Sequence, residues 1–534
     1  MIIAYAAFFG NNIPYSFIDF RGINIYRVNF MNNAKRLLLN TCLLTASAFV
    51  MRTVLVSFNI YLSNRIGAEG IGLFQLISSV YSMAITFSVA GIRLASMRMV
   101  ADSLALGYSN QRQIMKRGIF YAVMCGCITG AVLLFFAEPV SVKWIGTSDT
   151  VKSLKILCVS LPFVSASAAL NGYFTSESKI LRYTFVQLFE QAVKISVSVI
   201  LLSKCTQSVE SSCAAIVTGV SVGEIFSLTC SYIIYHFTSK LETERRTDGI
   251  FGEILRIALP DAFGSEMRSI LSTAEHMLIP RGLKKSGSSA DGAIATYGVI
   301  HGMSLPIVLY PSALLSSLSG LLVPEISAHH ISGNRTRINY MIHRVMHLTL
   351  LFSIGTAGIM YFFADSLSAA FYSDTEAGFY IRVLSPLIPV MYCDMSVDGM
   401  LKGLDQQVQY MKYNIIDALS CVVLVYFLVP KMSVKGYVFV IFFSEILNFA
   451  LSIHRLTVVA QVEIDLFRDL IAPVCSIIIS CMAVKIFYTG GGGKGMMCIL
   501  ICVCVMIYMA LLRIFRAIDN EEIQWIRGVF KNGK

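Results

Sequence analysis

The sequence predicts an all-α polytopic membrane protein of about fourteen transmembrane helices: two parallel six-helix bundles followed by two further helices. Three observations predict it. The 534 residues are 56% hydrophobic and only 14% charged, whereas a soluble domain carries about 25% charged residues. Apolar stretches of about 20 residues, the length that spans hydrocarbon, recur from Leu37 to Leu512 with short polar gaps. Residues of the first half also recur, in register, in the second.

In chain order, residues 1–30 lack a basic start and a continuous apolar core, so they make a poor signal peptide. Met31, followed by Lys35 and Arg36, reads as the start, with 1–30 as an N-terminal extension. Apolar runs then place spans near 37–62, 71–97, 117–137, 154–174, 181–203 and 211–237, the bundle of 31–248. A second set near 254–279, 293–323, 340–363, 379–401, 411–429 and 434–457 makes the bundle of 249–460. Runs near 467–488 and 496–514 give 461–534 two additional helices and a tail. The longest runs must tilt or protrude.

The formal charge of +11 does not describe a nucleic-acid surface, because the basic residues sit in short gaps between spans rather than on one face. Lys35, Arg36, Arg112, Lys116, Arg117, Lys240, Arg245, Arg246, Arg335, Arg337, Arg344, Arg513 and Arg516 all fall on one side if the N-terminus is inside, and the opposite gaps hold fewer. Lys and Arg near span ends are retained in the cytoplasm, so both termini are expected there.

The repeat links the first and seventh spans through Met51-Arg52-Thr53-Val54-Leu55 and Met267-Arg268-Ser269-Ile270-Leu271, continuing without a gap to Arg65 and Arg281. At one other constant offset Pro162 matches Pro389, Gly172 matches Gly399, Tyr183 matches Tyr410 and Glu190 matches Asp417. Glu224 and Glu445 stand mid-span in the sixth and twelfth spans. Odd spans match odd spans, so the halves share one orientation and are parallel repeats.

A charged side chain at mid-bilayer costs about 2.5 to 3.5 kcal/mol, so such residues face a cavity or a partner. Asp261, Arg268 and Glu275 are spaced by seven on the seventh span, with Ser265 and Ser272 between them, and so form one stripe. Thr45, Arg52 and Asn59 are their equivalents in the first span. Arginine suits a diphosphate because its planar fork donates paired hydrogen bonds and keeps its charge. The competing reading is that Arg268 neutralises Asp261 or Glu275 and locks helices together. Arg93 and Arg98 end the second span, where they either join the site or snorkel to the interface.

Glu190 and Lys194, four apart, are expected to form a structural pair. Glu275, Asn414 and Asp417 offer oxygens for a cation site, with helix packing as the alternative. Asp394, Asp398, Tyr297 and His301 complete the polar set without an assigned role. Pro162, Pro306, Pro311 and Pro389 mark bends, gating or static.

The fourteen cysteines lie mostly inside apolar runs such as those of Cys125, Cys127, Cys498 and Cys502, so they read as small membrane residues, not as a disulfide framework or zinc site. No phosphate-binding loop, nucleophile elbow or HExxH motif occurs, which argues against an ATP motor or a hydrolase. The protein is therefore expected to be no enzyme and to carry no cofactor, drawing on an ion or substrate gradient.

Gly67-Ala68-Glu69-Gly70-Ile71-Gly72-Leu73-Phe74-Gln75, Ala90-Gly91-Ile92-Arg93 and Pro324-Glu325-Ile326 make the chain resemble the multidrug/oligosaccharidyl-lipid/polysaccharide exporter superfamily over about residues 35–515. It looks closest to the stage V sporulation protein B group, related to lipid II flippases. The resemblance implies a flippase that moves a polyprenyl-diphosphate-linked sugar across the bacterial cytoplasmic membrane by alternating access, in cell-wall and spore cortex synthesis. It implies a cationic cavity, hence a substrate-binding role for Arg52, Arg268 and Arg93, with Asn59 and Asp261 beside them. A sodium site of the related flippases maps approximately to Glu275, Asn414 and Asp417, so Na+ or H+ coupling is expected. Expected partners are the lipid-linked sugar diphosphate, membrane lipids and cell-wall synthesis enzymes, with no nucleic acid. The rivals are a cation-coupled multidrug antiporter, whose cavity should be acidic or aromatic, and a non-transporting membrane scaffold.

Overall fold

The computed structural model describes residues 23–106, 110–176, 180–204, 208–238, 249–372, 376–460, 465–487 and 494–518. Most of the 1–30 extension lies outside the described residues, as do the basic gap at 239–248 and the tail from 519. Among the described residues there is no strand. The first half runs through α1 (Ile23–Val89), α2 (Ile92–Ala105), α3 (Gln111–Pro139), α4 (Val151–Ser176), α5 (Ile180–Lys204) and α6 (Val209–Thr238). The chain continues through α7 (Ile250–Lys285), α8 (Ala290–Tyr297), α9 (Leu305–Leu309), α10 (Ala313–Ile331), α11 (Arg335–Phe362), α12 (Ala364–Phe371) and α13 (Glu376–Leu384). It ends with α14 (Ile388–Gly403), α15 (Gln407–Val459), α16 (Ala472–Phe487) and α17 (Lys494–Ile514).

Ten helical stretches among the described residues are long and apolar enough to cross a membrane. Two of them, Ala46–Leu104 and Gln407–Val459, are of double length. Each joins two helices across a kink where the backbone leaves helical geometry, at Gly67 (φ 71°) and Ser433 (φ 54°). The count also falls short of the expected fourteen because α7 is long enough but too charged to qualify. The span expected at 379–401 is divided by a short 3-10 turn, Ser385–Leu387, between α13 and α14. The span expected at 293–323 is counted as Ala290–Leu309, interrupted by a π-helical turn, Gly298–Ser304, between α8 and α9 and followed by α10. Pro306 and Pro311 lie at these interruptions, whereas Pro162 stays inside an unbroken α4.

The span expected at 71–97 breaks between α1 and α2 at Ala90 (φ 41°) and Gly91 (φ 71°). Gly91 also approaches α7 so closely that a β-carbon would lie 2.3 Å from the carbonyl oxygen of Ala258. Only glycine meets both demands.

The described chain packs as two compact units. One comprises Ser57–Gly302 with Asn414–Ser444, the other residues up to Val56, Met303–Tyr413 and residues from Glu445 onward. The halves 31–248 and 249–460 are a division by repeat register rather than by packing. In the first unit α3 packs on α4, α5 on α6, and α2 on α4 and α7, around Ile92, Met115, Leu170, Phe174, Ile254 and Ala258. In the second, α14 packs on α10 and α11, and α16 on α11 and α17, around Ile326, Ile342, Met346, Val397 and Leu401. Large apolar side chains such as Phe135, Phe189, Phe237 and Ile486 are exposed, as a surface solvated by lipid requires.

Candidate functional site

Within the Ser57–Gly302 unit three polar helix faces converge. Gln75, Ser78, Ser79 and Ser82 follow one another at the spacing of one face of α1. Ser269, Ser272, Thr273 and His276 repeat the same spacing on α7. Tyr297 and His301, one turn apart, complete the lining of a cavity of about 260 Å³. Thr273 Oγ1 donates to the carbonyl oxygen of Ser79 at 3.3 Å, which ties α7 to α1. His276 Nδ1 and the Tyr297 hydroxyl lie 3.1 Å apart, and the His301 ring stacks on Tyr437 at 5.8 Å. The sequence reading had Ser272, Tyr297 and His301 in view but missed Gln75, Ser78, Ser79 and Ser82. Serine is common in membrane helices, so only its helical spacing carried the signal.

On α7, Asp261 and Arg268 are exposed and Glu275 is half-buried. Among the described residues Arg268 forms no ion pair, with Asp261 or with any other carboxylate. Asp417 accepts from Ser444 Oγ at 2.8 Å, and Cys421 Sγ lies 3.8 Å from its Oδ1. Asn414, one turn before Asp417, is buried. Carboxylate and amide oxygens are donors that suit a hard cation such as sodium.

Asn59 donates from Nδ2 to the carbonyl oxygen of Gly302 at 2.5 Å, inside the π-helical turn. It therefore braces α1 against an irregular backbone. Arg93 is exposed in the first turn of α2, placed there by the break at Gly91. Lys194 holds Glu190 at 2.6 Å, the expected pair, and also Glu224 at 2.7 Å, which sequence spacing had left apart.

In the other unit Arg52 is half-buried. Its Nη2 donates to the carbonyl oxygen of Leu309 at 3.0 Å, at the break between α9 and α10, where that carbonyl also accepts from Ser312. The neighbouring Thr53 and Tyr310 hydroxyls lie 3.0 Å apart. A backbone carbonyl thus takes one hydrogen bond from the Arg52 guanidinium, and only part of its donor set is used. Asp394, buried on α14, accepts from Asn448 Nδ2 at 2.8 Å.

Residues 37–281 match the family model of polysaccharide biosynthesis proteins. Over 509 residues the chain is 24% identical to stage V sporulation protein B of Bacillus subtilis (strain 168), covering 91% of this chain and 96% of that protein. A solved structure of the lipid II flippase MurJ in its inward closed conformation shares the fold with a TM-score of 0.70 at 14% identity, covering 89% of this chain and 98% of the other. An inward-facing MATE family transporter of the MOP superfamily does so with a TM-score of 0.59 at 14% identity, covering 77% and 95%. The chain is thus similar in sequence to polysaccharide biosynthesis proteins over its first half and shares the fold of these transporters. Its motifs then have physical meaning in this exporter fold: Gly67 bends α1, and Ala90-Gly91 ends it and starts α2 with Arg93. With ten helical stretches among the described residues long and apolar enough to cross a membrane, the protein is a multi-pass membrane protein.

Proposed function

We propose that the protein is a flippase that carries a polyprenyl-diphosphate-linked sugar across the bacterial cytoplasmic membrane by alternating access, in the cell-wall chemistry of sporulation. The observation that supports this most is Arg268: a guanidinium in the middle of a long membrane helix with no ion pair among the described residues. Such a charge is tolerated inside a membrane only where it meets a partner or a polar cavity, and a diphosphate is the anion its geometry fits. Arg93 is a further cation for the same headgroup, with Asp261 and Asn59 ordering the helices beside it. Sodium or proton coupling through Glu275, Asn414 and Asp417 drives the cycle. The likeness to stage V sporulation protein B and to a lipid II flippase agrees with this reading, whereas a drug antiporter would hold organic cations with carboxylates or aromatic faces.

Purified protein is titrated with lipid II in detergent and assayed for lipid II translocation in vesicles. Hydrogen bonds to a charged group are worth about 1.5 to 3 kcal/mol, so Arg268→Gln should weaken binding about tenfold or more, and Arg268→Lys less. Full binding and translocation by a folded Arg268→Gln variant would sink the proposal.

A further inference from the structure

We infer that the cavity between α1, α7 and α8 is a subsite for one neutral, polyhydroxylated ring: the sugar residue next to the diphosphate of the carried lipid. This rests on the flippase reading and specifies which part of the molecule holds the glycan.

The lining decides the ligand class. Among the residues around the cavity there is no Asp, Glu, Lys or Arg and no aliphatic side chain. A phosphate would meet no guanidinium or ammonium there, an organic cation no carboxylate, and a greasy drug no apolar wall. What is present is a ring of groups that both donate and accept: serine and threonine hydroxyls, the Gln75 amide, two imidazoles and the Tyr297 phenol. That is the complement of a sugar, whose hydroxyls do the same.

The cavity also has the right size and place. About 260 Å³ lies just below the range of sites for drug-sized ligands and suits a single ring. Arg268 immediately precedes Ser269 on α7, and Ser272 belongs both to the charged stripe and to the cavity wall. A diphosphate on Arg268 therefore leaves its directly bonded sugar beside the hydroxyl lining. The wall is held in place by its own bonds, Thr273 to the Ser79 carbonyl and His276 to Tyr297. Ser78, Ser269 and Ser272 are left to turn toward a ligand.

The experiment compares the affinities of undecaprenyl diphosphate and undecaprenyl-diphospho-N-acetylglucosamine for the purified full-length protein. Wild type should bind the sugar-bearing lipid about tenfold tighter, the yield of a few net hydrogen bonds. Ser78→Leu, which fills the cavity from α1, should abolish that preference while leaving undecaprenyl diphosphate binding unchanged. Ser78→Ala with Ser272→Ala, which removes hydroxyls without adding bulk, should reduce the preference and serves if the leucine variant does not fold. Equal affinity of wild type for the two lipids, or an undiminished preference in the folded variants, overturns the subsite alone. Binding of neither lipid overturns the flippase reading and the subsite with it.

Discussion

His347 is held from both ring nitrogens: Nδ1 faces Oδ1 of Asp469, and Nε2 lies 2.9 Å from the carbonyl oxygen of Ala517. Both partners are acceptors, so the ring satisfies them only when both nitrogens carry protons. It is 3% exposed and Asp469 is 2% exposed, so each charge depends on the other. Removing one member of a buried pair costs about 3 to 5 kcal/mol, whereas replacing both with apolar groups is often close to neutral. His347→Leu should therefore lower the melting temperature in detergent markedly, and His347→Leu with Asp469→Leu should recover most of the loss. A single variant that melts with wild type would show that the contact is energetically idle. This clamp was not visible in the sequence because its members are far apart in the chain. The Glu190–Lys194 pair was visible because four residues make one helical turn.

Among the elements, a close backbone approach in the Ser57–Gly302 unit joins α1 to the end of α8. A β-carbon on Gly72 would lie 2.2 Å from the carbonyl oxygen of Ile294, and one on Gly298 would lie 2.2 Å from that of Ala68. Overpacking costs about 1 to 3 kcal/mol, so Gly72→Val should lower thermal stability clearly and disturb the nearby cavity. Unchanged melting would mean that α8 can withdraw. The C-terminal pair offers a direct chemical test: Sγ of Cys481 on α16 lies 3.5 Å from Sγ of Cys504 on α17, and a disulfide closes at about 2.05 Å. A lipid-soluble oxidant should link these two, detected as a joined peptide by mass spectrometry, and should leave Cys498 and Cys502 unlinked to Cys481. Absence of that link would mean a different rotation of α17. Element boundaries were legible wherever polar gaps separate apolar runs. The breaks at Ala90–Gly91, Ser385–Leu387 and Gly298–Ser304 were not, because hydropathy stays high across them while the backbone changes. Likewise the charges of α7 announced a polar stripe, but not that serines of α1 would meet it.

For the molecule as a whole, the orientation proposed from the distribution of basic residues is open to a severe test. The helix α3 (Gln111–Pro139, 29 residues) is roughly 43 Å long at about 1.5 Å per residue, enough to cross the hydrocarbon, so the exposed Arg112 and Lys143 at its ends belong to opposite faces. The positive-inside rule puts Arg112, with Lys116 and Arg117, in the cytoplasm. With native cysteines replaced, Lys143→Cys should react with a membrane-impermeant maleimide on intact cells, and Arg112→Cys only after lysis. The end of α7 is the harder case. Parallel repeats give α7 the direction of the first span, which sends the basic cluster of Arg281, Lys284 and Lys285 outside, against the charge rule. The structure offers a reason why such a cluster is tolerated: Lys285 Nζ lies 5.9 Å from the centroid of the Tyr426 ring, a cation–π contact that offsets part of its desolvation. If the repeat sets the topology, Lys284→Cys should label from outside like Lys143→Cys. If it labels only after lysis, the halves are not parallel, and pairing Arg52 with Arg268 as equivalent cations loses its basis.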